Sequence, residues 1–88
     1  MKITLEELQA FATVVDSGSI TAAAEQLGQT VSGISRALSR LEDKVGTTLL
    51  HRTTRRIGLT PAGEATLARC RQMLEIASQM AVADGPEA

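Results

Sequence analysis

Few residues in this chain of 88 have the types and spacing that bond-making chemistry requires. The single cysteine, Cys70, falls on an apolar helical stripe, where a thiol usually serves as a small hydrophobe. His51 stands between Leu50 and Arg52 with no Cys, His or carboxylate at ligand spacing. Glu6-Glu7 and Glu42-Asp43 are sequence neighbours, so on a helix they point about 100° apart and do not converge for acid–base work. Gly28, Gly33 and Gly46 are scattered and form no phosphate-cradling loop. The expectation is no enzyme, no metal and no cofactor.

What remains is a set of hydroxyls and arginines. Between Thr30 and Val45, Ile34, Leu38, Leu41 and Val45 fall on one side of a helix. Ser32, Arg36, Ser39 and Asp43 fall on the opposite side, with Ser35 and Arg40 on its flanks. The order is short polar side chains first, arginines in the middle and an acid at the far end. A helix entering the major groove by its N-terminus needs that order. Short hydroxyls allow close approach, an amide-rich end accepts a phosphate, and Arg36 is long enough to fork onto guanine. Val31, at the edge of the apolar stripe, could touch a thymine methyl. The alternative is the solvated polar face of a core helix. A second cluster, Arg52, Arg55 and Arg56, packs three like charges into five residues. It is either a solvated loop or a contact for phosphates or the minor groove.

The elements that must position these residues are mostly helical. Thr4 and Glu7 form a capping box ahead of Leu5, Leu8, Phe11, Ala12 and Val15, which share one helical face. Asp16 to Ser19 breaks the pattern, and Ser19 or Thr21 caps a short helix from Ile20 to Leu27. Gly28-Gln29 is a brief turn. Thr30 caps a third helix running to about Val45, with Gly46 suited to its left-handed end. Residues 47–60 are β-branched around a basic centre and predict a small hairpin. Thr60-Pro61 restarts a helix that runs to about Ala83, before Asp84-Gly85-Pro86 stops it. On that helix Leu67, Cys70, Leu74, Ala77 and Ala81 recur at spacings of three and four, the seam of a helix pair, widened by Met73, Ile76 and Met80. Its first turns, at Ala62 and Ala65, are expected to pack on their own domain. The latter half is expected to meet a second copy.

Composition sets limits. The length allows one domain, which at this size buries roughly 60–65% of its extended surface. One cysteine excludes a disulfide framework and a Cys-based zinc site. With no Trp, no Tyr and one Phe, the chain lacks the stacking platforms of single-strand binders. There is no apolar leader and no run of about 20 apolar residues, so a cytoplasmic location is expected, with no membrane partner. Taken alone, the net charge of −1 argues against a nucleic-acid partner, but its distribution does not. Residues 1–29 hold one base and four acids, residues 30–57 six bases and two acids, and residues 58–88 two bases and four acids. The middle third is therefore at +4 between acidic flanks, and it carries all the residues singled out for DNA.

In order and spacing the chain resembles the LysR-type transcriptional regulators over about residues 5–80. The resemblance rests on Phe11-x-x-Val14-Val15-x-x-Gly18-Ser19-Ile20-Thr21-x-Ala23-Ala24-x-x-Leu27 and on Ser35-x-x-Leu38-x-x-Leu41-Glu42. It continues through Gly46-x-x-Leu49-Leu50-x-Arg52 and closes on Leu59-Thr60-x-Ala62-Gly63. It implies a mainly α fold: a winged helix–turn–helix over residues 1–60, with a three-helix core and a hairpin wing, then a dimerising linker helix over 61–83. Residues 84–88 would begin a hinge. A small-molecule effector would act only through a C-terminal region that these 88 residues do not contain. By position, Thr30, Val31, Ser32, Ser35 and Arg36 would face the groove, Ser39 and Arg40 the phosphates, and Arg52, Arg55 and Arg56 would form the wing. The implied target is an interrupted inverted repeat with an A·T-rich tendency, bound by a homodimer. Val31 stands where many members carry Gln, Ser32-Gly33 where Pro-Ala is common, and Leu50 where Phe is frequent. The alternatives are another winged-helix class with a different dimer, and a helical protein-interaction module.

Overall fold

Local capping chemistry fixes most of the boundaries in the computed structural model, which describes residues 3–52 and 57–84. The side chains of Arg52 and of residues 81–84 lie outside that description. Helix α1, Leu5–Ser17, begins on the expected capping box: the Glu7 amide donates to Thr4 Oγ1 at 3.2 Å and the Thr4 amide to Glu7 Oε1 at 3.1 Å. Ser19, rather than Thr21, caps α2, Ile20–Leu27, by accepting from the Ala22 amide at 2.9 Å. Thr30 caps α3, Val31–Val45, by accepting from the Gly33 amide at 3.0 Å. Gly28, at φ +65°, makes the turn between α2 and α3 in a conformation that favours glycine. Its amide returns to the Ala24 and Glu25 carbonyls, so only Gln29 and Thr30 separate it from α3.

The hairpin is shorter than the β-branched run suggested. Strands β1, Leu50–Arg52, and β2, Ile57–Leu59, pair antiparallel with Leu50 opposite Leu59 and Arg52 opposite Ile57. Its tip, residues 53–56, lies outside the described residues. Thr47 and Thr48 stay out of the sheet, and Glu42 holds the passage from α3 into β1. Its carboxylate accepts from the amides of Leu49 at 2.9 Å and Leu50 at 3.1 Å. Thr60 then opens α4, Pro61–Asp84, accepting from the Gly63 amide at 2.9 Å and donating to the Thr48 carbonyl at 2.8 Å.

Helix α1 lies against α2, α3 and α4 and forms the centre of the core. Phe11 and Val14 of α1 are fully buried with Ile34, Leu38 and Leu41 of α3, and with Leu49 and Cys70. The 24-residue α4 is about 36 Å long at 1.5 Å per residue, and it stretches the molecule to 46 × 26 × 19 Å.

Candidate nucleic-acid interface

The turn at Gly28 and the buried stripe of α3 decide which side chains face outward. With Ile34, Ala37, Leu38 and Leu41 held in the core, Thr30, Val31, Ser32, Arg36, Ser39 and Arg40 are exposed, and Ser35 is half-buried between them. Val31 lies further out than the apolar stripe suggested, at 48% exposure. Arg36 makes no hydrogen bond or ion pair with any described residue, so its guanidinium is available to a ligand. The Thr30 side chain takes the Gly33 amide, and its carbonyl takes the Ile34 amide. The amides of Val31 and Ser32 remain at the helix entry, pointing the way an anion would approach.

Arg40 is placed differently from Arg36. Its Nε lies 3.4 Å from Glu7 Oε2, while its side chain stays 55% exposed. The same carboxylate takes Lys44 Nζ at 2.7 and 3.0 Å. Burial pushes the Glu7 carboxyl up, but the hydrogen bonds from Lys44 and the Thr4 amide, the Lys44 charge and the Arg40 bond outweigh it. The carboxyl is held below the usual carboxylate range. Glu7 was visible in sequence only as a cap, because its partners lie 33 and 37 residues away. The backbone of Arg52 is on β1, beside the core of the domain, whereas Arg55 and Arg56 lie outside the described residues.

The helix-pair seam needs correction at one residue. Cys70 is fully buried in its own domain and donates from Sγ to the Leu8 carbonyl at 3.2 Å, so it is closed to a partner helix. Burial pushes its thiol up to about 11, which keeps it protonated near neutral pH. Leu67 and Leu74 are half-buried against the same core. Ala77 is half-buried beside Leu5 and Leu74, and the Ala81 side chain lies outside the described residues. The exposed apolar face of α4 is instead Met73, Ile76 and Met80, at 44%, 57% and 64%. Among the described residues no three His, Cys, Asp or Glu side chains cluster as metal ligands, and no helix is long and apolar enough to cross a membrane.

Residues 5–64, from the start of α1 into the first turn of α4, match the family of bacterial regulatory helix-turn-helix proteins of the LysR type. The chain belongs to the LysR family. It is a helix–turn–helix DNA-binding domain of that family and not an enzyme. This LysR-family chain is 45% identical over 84 residues to the HTH-type transcriptional regulator CrgA of Neisseria meningitidis, covering 96% of the chain and 27% of that relative. It spans about a quarter of the length of the curated relatives it matches. Among solved structures it is similar to the CbnR DNA-binding domain in complex with DNA, at a TM-score of 0.83 and 36% identity, covering 88% of each chain. The BenM DNA-binding domain bound to catB site 1 DNA gives a TM-score of 0.83 at 32% identity, covering 88% of this LysR-family chain and 86% of that one.

Proposed function

We propose that this domain reads an interrupted inverted repeat in duplex DNA as a homodimer, with one α3 in the major groove at each half-site. In this reading Thr30, Val31, Ser32, Ser35 and Arg36 approach the bases, and Ser39 and Arg40 approach the phosphates. Arg52, Arg55 and Arg56 form a wing along the backbone or in the minor groove. The DNA-bound relatives CbnR and BenM support the mode of docking. The domain belongs to a longer transcription regulator acting in the cytoplasm, whose small-molecule effector binds a region beyond these residues. The observation that carries the proposal is Arg36: a guanidinium with no described internal partner, in the second turn of a helix whose opposite side is buried.

The test is binding to random and palindromic duplexes across a salt series. Log K falls linearly with log salt, with a slope of about −0.9 for each phosphate neutralised. Arg36→Ala relaxes preference at one base pair per half-site and costs roughly 1–3 kcal/mol there. Salt-independent binding, or unchanged selectivity in Arg36→Ala, would overturn the assignment and favour a protein-interaction module.

A further inference from the structure

The contact between α1 and α3 holds a charged device whose use is not explained by packing. Glu7 has a side chain 3% exposed, yet it is ionised and takes charge from two basic residues of α3. Burying a carboxylate is costly unless its oxygens are bonded, and here both are. Oε1 accepts from the Thr4 amide at 3.1 Å and from Lys44 at 3.0 Å, and Oε2 accepts from Lys44 at 2.7 Å and from Arg40 at 3.4 Å. Lys44 has the short contacts and is only 27% exposed, so it supplies most of the charge compensation. Arg40 therefore is not needed to neutralise Glu7. It meets the carboxylate through Nε alone, and its Nη donors make no bond to any described residue.

We infer that Glu7 is a positioning residue for DNA binding, holding Arg40 by Nε so that its Nη fork is preset toward a backbone phosphate. This rests on the proposed docking of α3. Arg40 follows Ser39 and lies about one turn beyond Arg36, on the flank of the exposed face. A free arginine loses rotamer freedom when it binds a phosphate, whereas one held at Nε has lost part of that freedom already. The planar guanidinium permits both contacts at once: Nε toward the carboxylate and the two Nη groups outward. Lysine has one ammonium and cannot serve both sides in that geometry.

The sign of one substitution separates this role from plain electrostatics. Glu7→Gln removes a negative charge that lies against the basic helix α3, so long-range attraction alone predicts tighter DNA binding. Presetting predicts weaker binding. Wild type, Glu7→Gln, Arg40→Ala, the double variant and Arg40→Lys are titrated on a duplex selected by the wild-type chain, across a salt series. The temperature is one at which circular dichroism shows each variant folded. Glu7→Gln is expected to lose affinity about tenfold, with a salt slope smaller by about 1. Adding Arg40→Ala to it costs little more, and Arg40→Lys binds nearly as weakly as Arg40→Ala.

Three results would each overturn the inference: equal or tighter binding by Glu7→Gln, a full and independent cost for Arg40→Ala in both backgrounds, or wild-type binding by Arg40→Lys. Arg40→Lys leaves Glu7 intact, so it decides the matter even if Glu7→Gln does not fold. Arg36→Ala in the same series keeps the two readings apart. If wild-type binding ignores salt, the docking of α3 fails. If Arg36→Ala relaxes selectivity while the Arg40 variants behave independently of Glu7, only the positioning role fails.

Discussion

At Gly63 the backbone of α4 passes so close to Leu49, just before β1, that a side chain has no place to go. A Cβ at that position would run into the Leu49 carbonyl oxygen and press on the Leu59 side chain at 3.1 Å. The carbonyl cannot move aside freely, because it accepts from the Thr60 amide at 3.1 Å while the Leu49 amide is held by Glu42. Alanine would gain about 1 kcal/mol of helix propensity over glycine, but overpacking against fixed backbone typically costs 1–3 kcal/mol or more. Gly63→Ala is therefore expected to lower Tm, by roughly 4–8 °C for each net kcal/mol in a domain this size. A thermal melt that leaves Tm unchanged or raises it would show that α4 can lift away from Leu49. The sequence motif Leu59-Thr60-x-Ala62-Gly63 was legible, but the reason for its glycine was not, since the contact joins residues 14 positions apart.

Among the elements, α1 is tied to two of its three helical neighbours by carboxylates, Glu7 to α3 and Asp16 to α4. Asp16 meets Arg71 in a two-pronged pair at 2.7 and 3.3 Å, and that hydrogen bond holds its carboxyl below the usual range. The pair is more than half exposed on the Asp16 side and largely screened, so the buried Glu7 carries the pH dependence. A carboxyl whose folded value lies below its unfolded value, about 4.3 for Glu, adds stability above that pH and loses it as pH falls through the folded value. Melts should thus be level from pH 7 to about 5 and fall below that. Glu7→Gln should lose about 1–2 kcal/mol at pH 7 and show a shallower fall in acid. Parallel pH profiles for the two proteins would remove Glu7 from the linkage. The elements themselves were readable because their signals are local: Thr4, Ser19, Thr30 and Thr60 each act within three or four residues. The bonds between elements were not. Periodicity marked Cys70 as apolar and put it in a helix-pair seam, because spacing alone does not distinguish α1 of the same chain, which it meets, from a second helix.

For the molecule as a whole, the question is what covers the far part of α4. Leu67, Cys70 and Leu74 are turned toward the domain, which leaves Met73, Ile76 and Met80 exposed on α4 while Leu5 is exposed on α1. The net charge of −1 is unevenly spread: the +4 middle third carries the residues proposed to face DNA, and residues 58–88 hold −2. Two copies joined through α4 would therefore keep their basic faces free for the duplex. Fully burying an aliphatic side chain of this size contributes roughly 1.5–3 kcal/mol, so a charge at the centre of the exposed stripe should be decisive. At micromolar concentration wild type is expected to sediment as a dimer and Ile76→Glu as a monomer. Its helical signal and Tm should change little, because Ile76 is 57% exposed in the single chain. On DNA the variant should hold a single half-site about as well as wild type but lose the advantage of an inverted repeat, since the second half-site no longer binds within the same complex. A dimer that survives Ile76→Glu would move the interface off this stripe. An inverted-repeat advantage that persists in a proven monomer would separate dimerisation along α4 from DNA reading altogether.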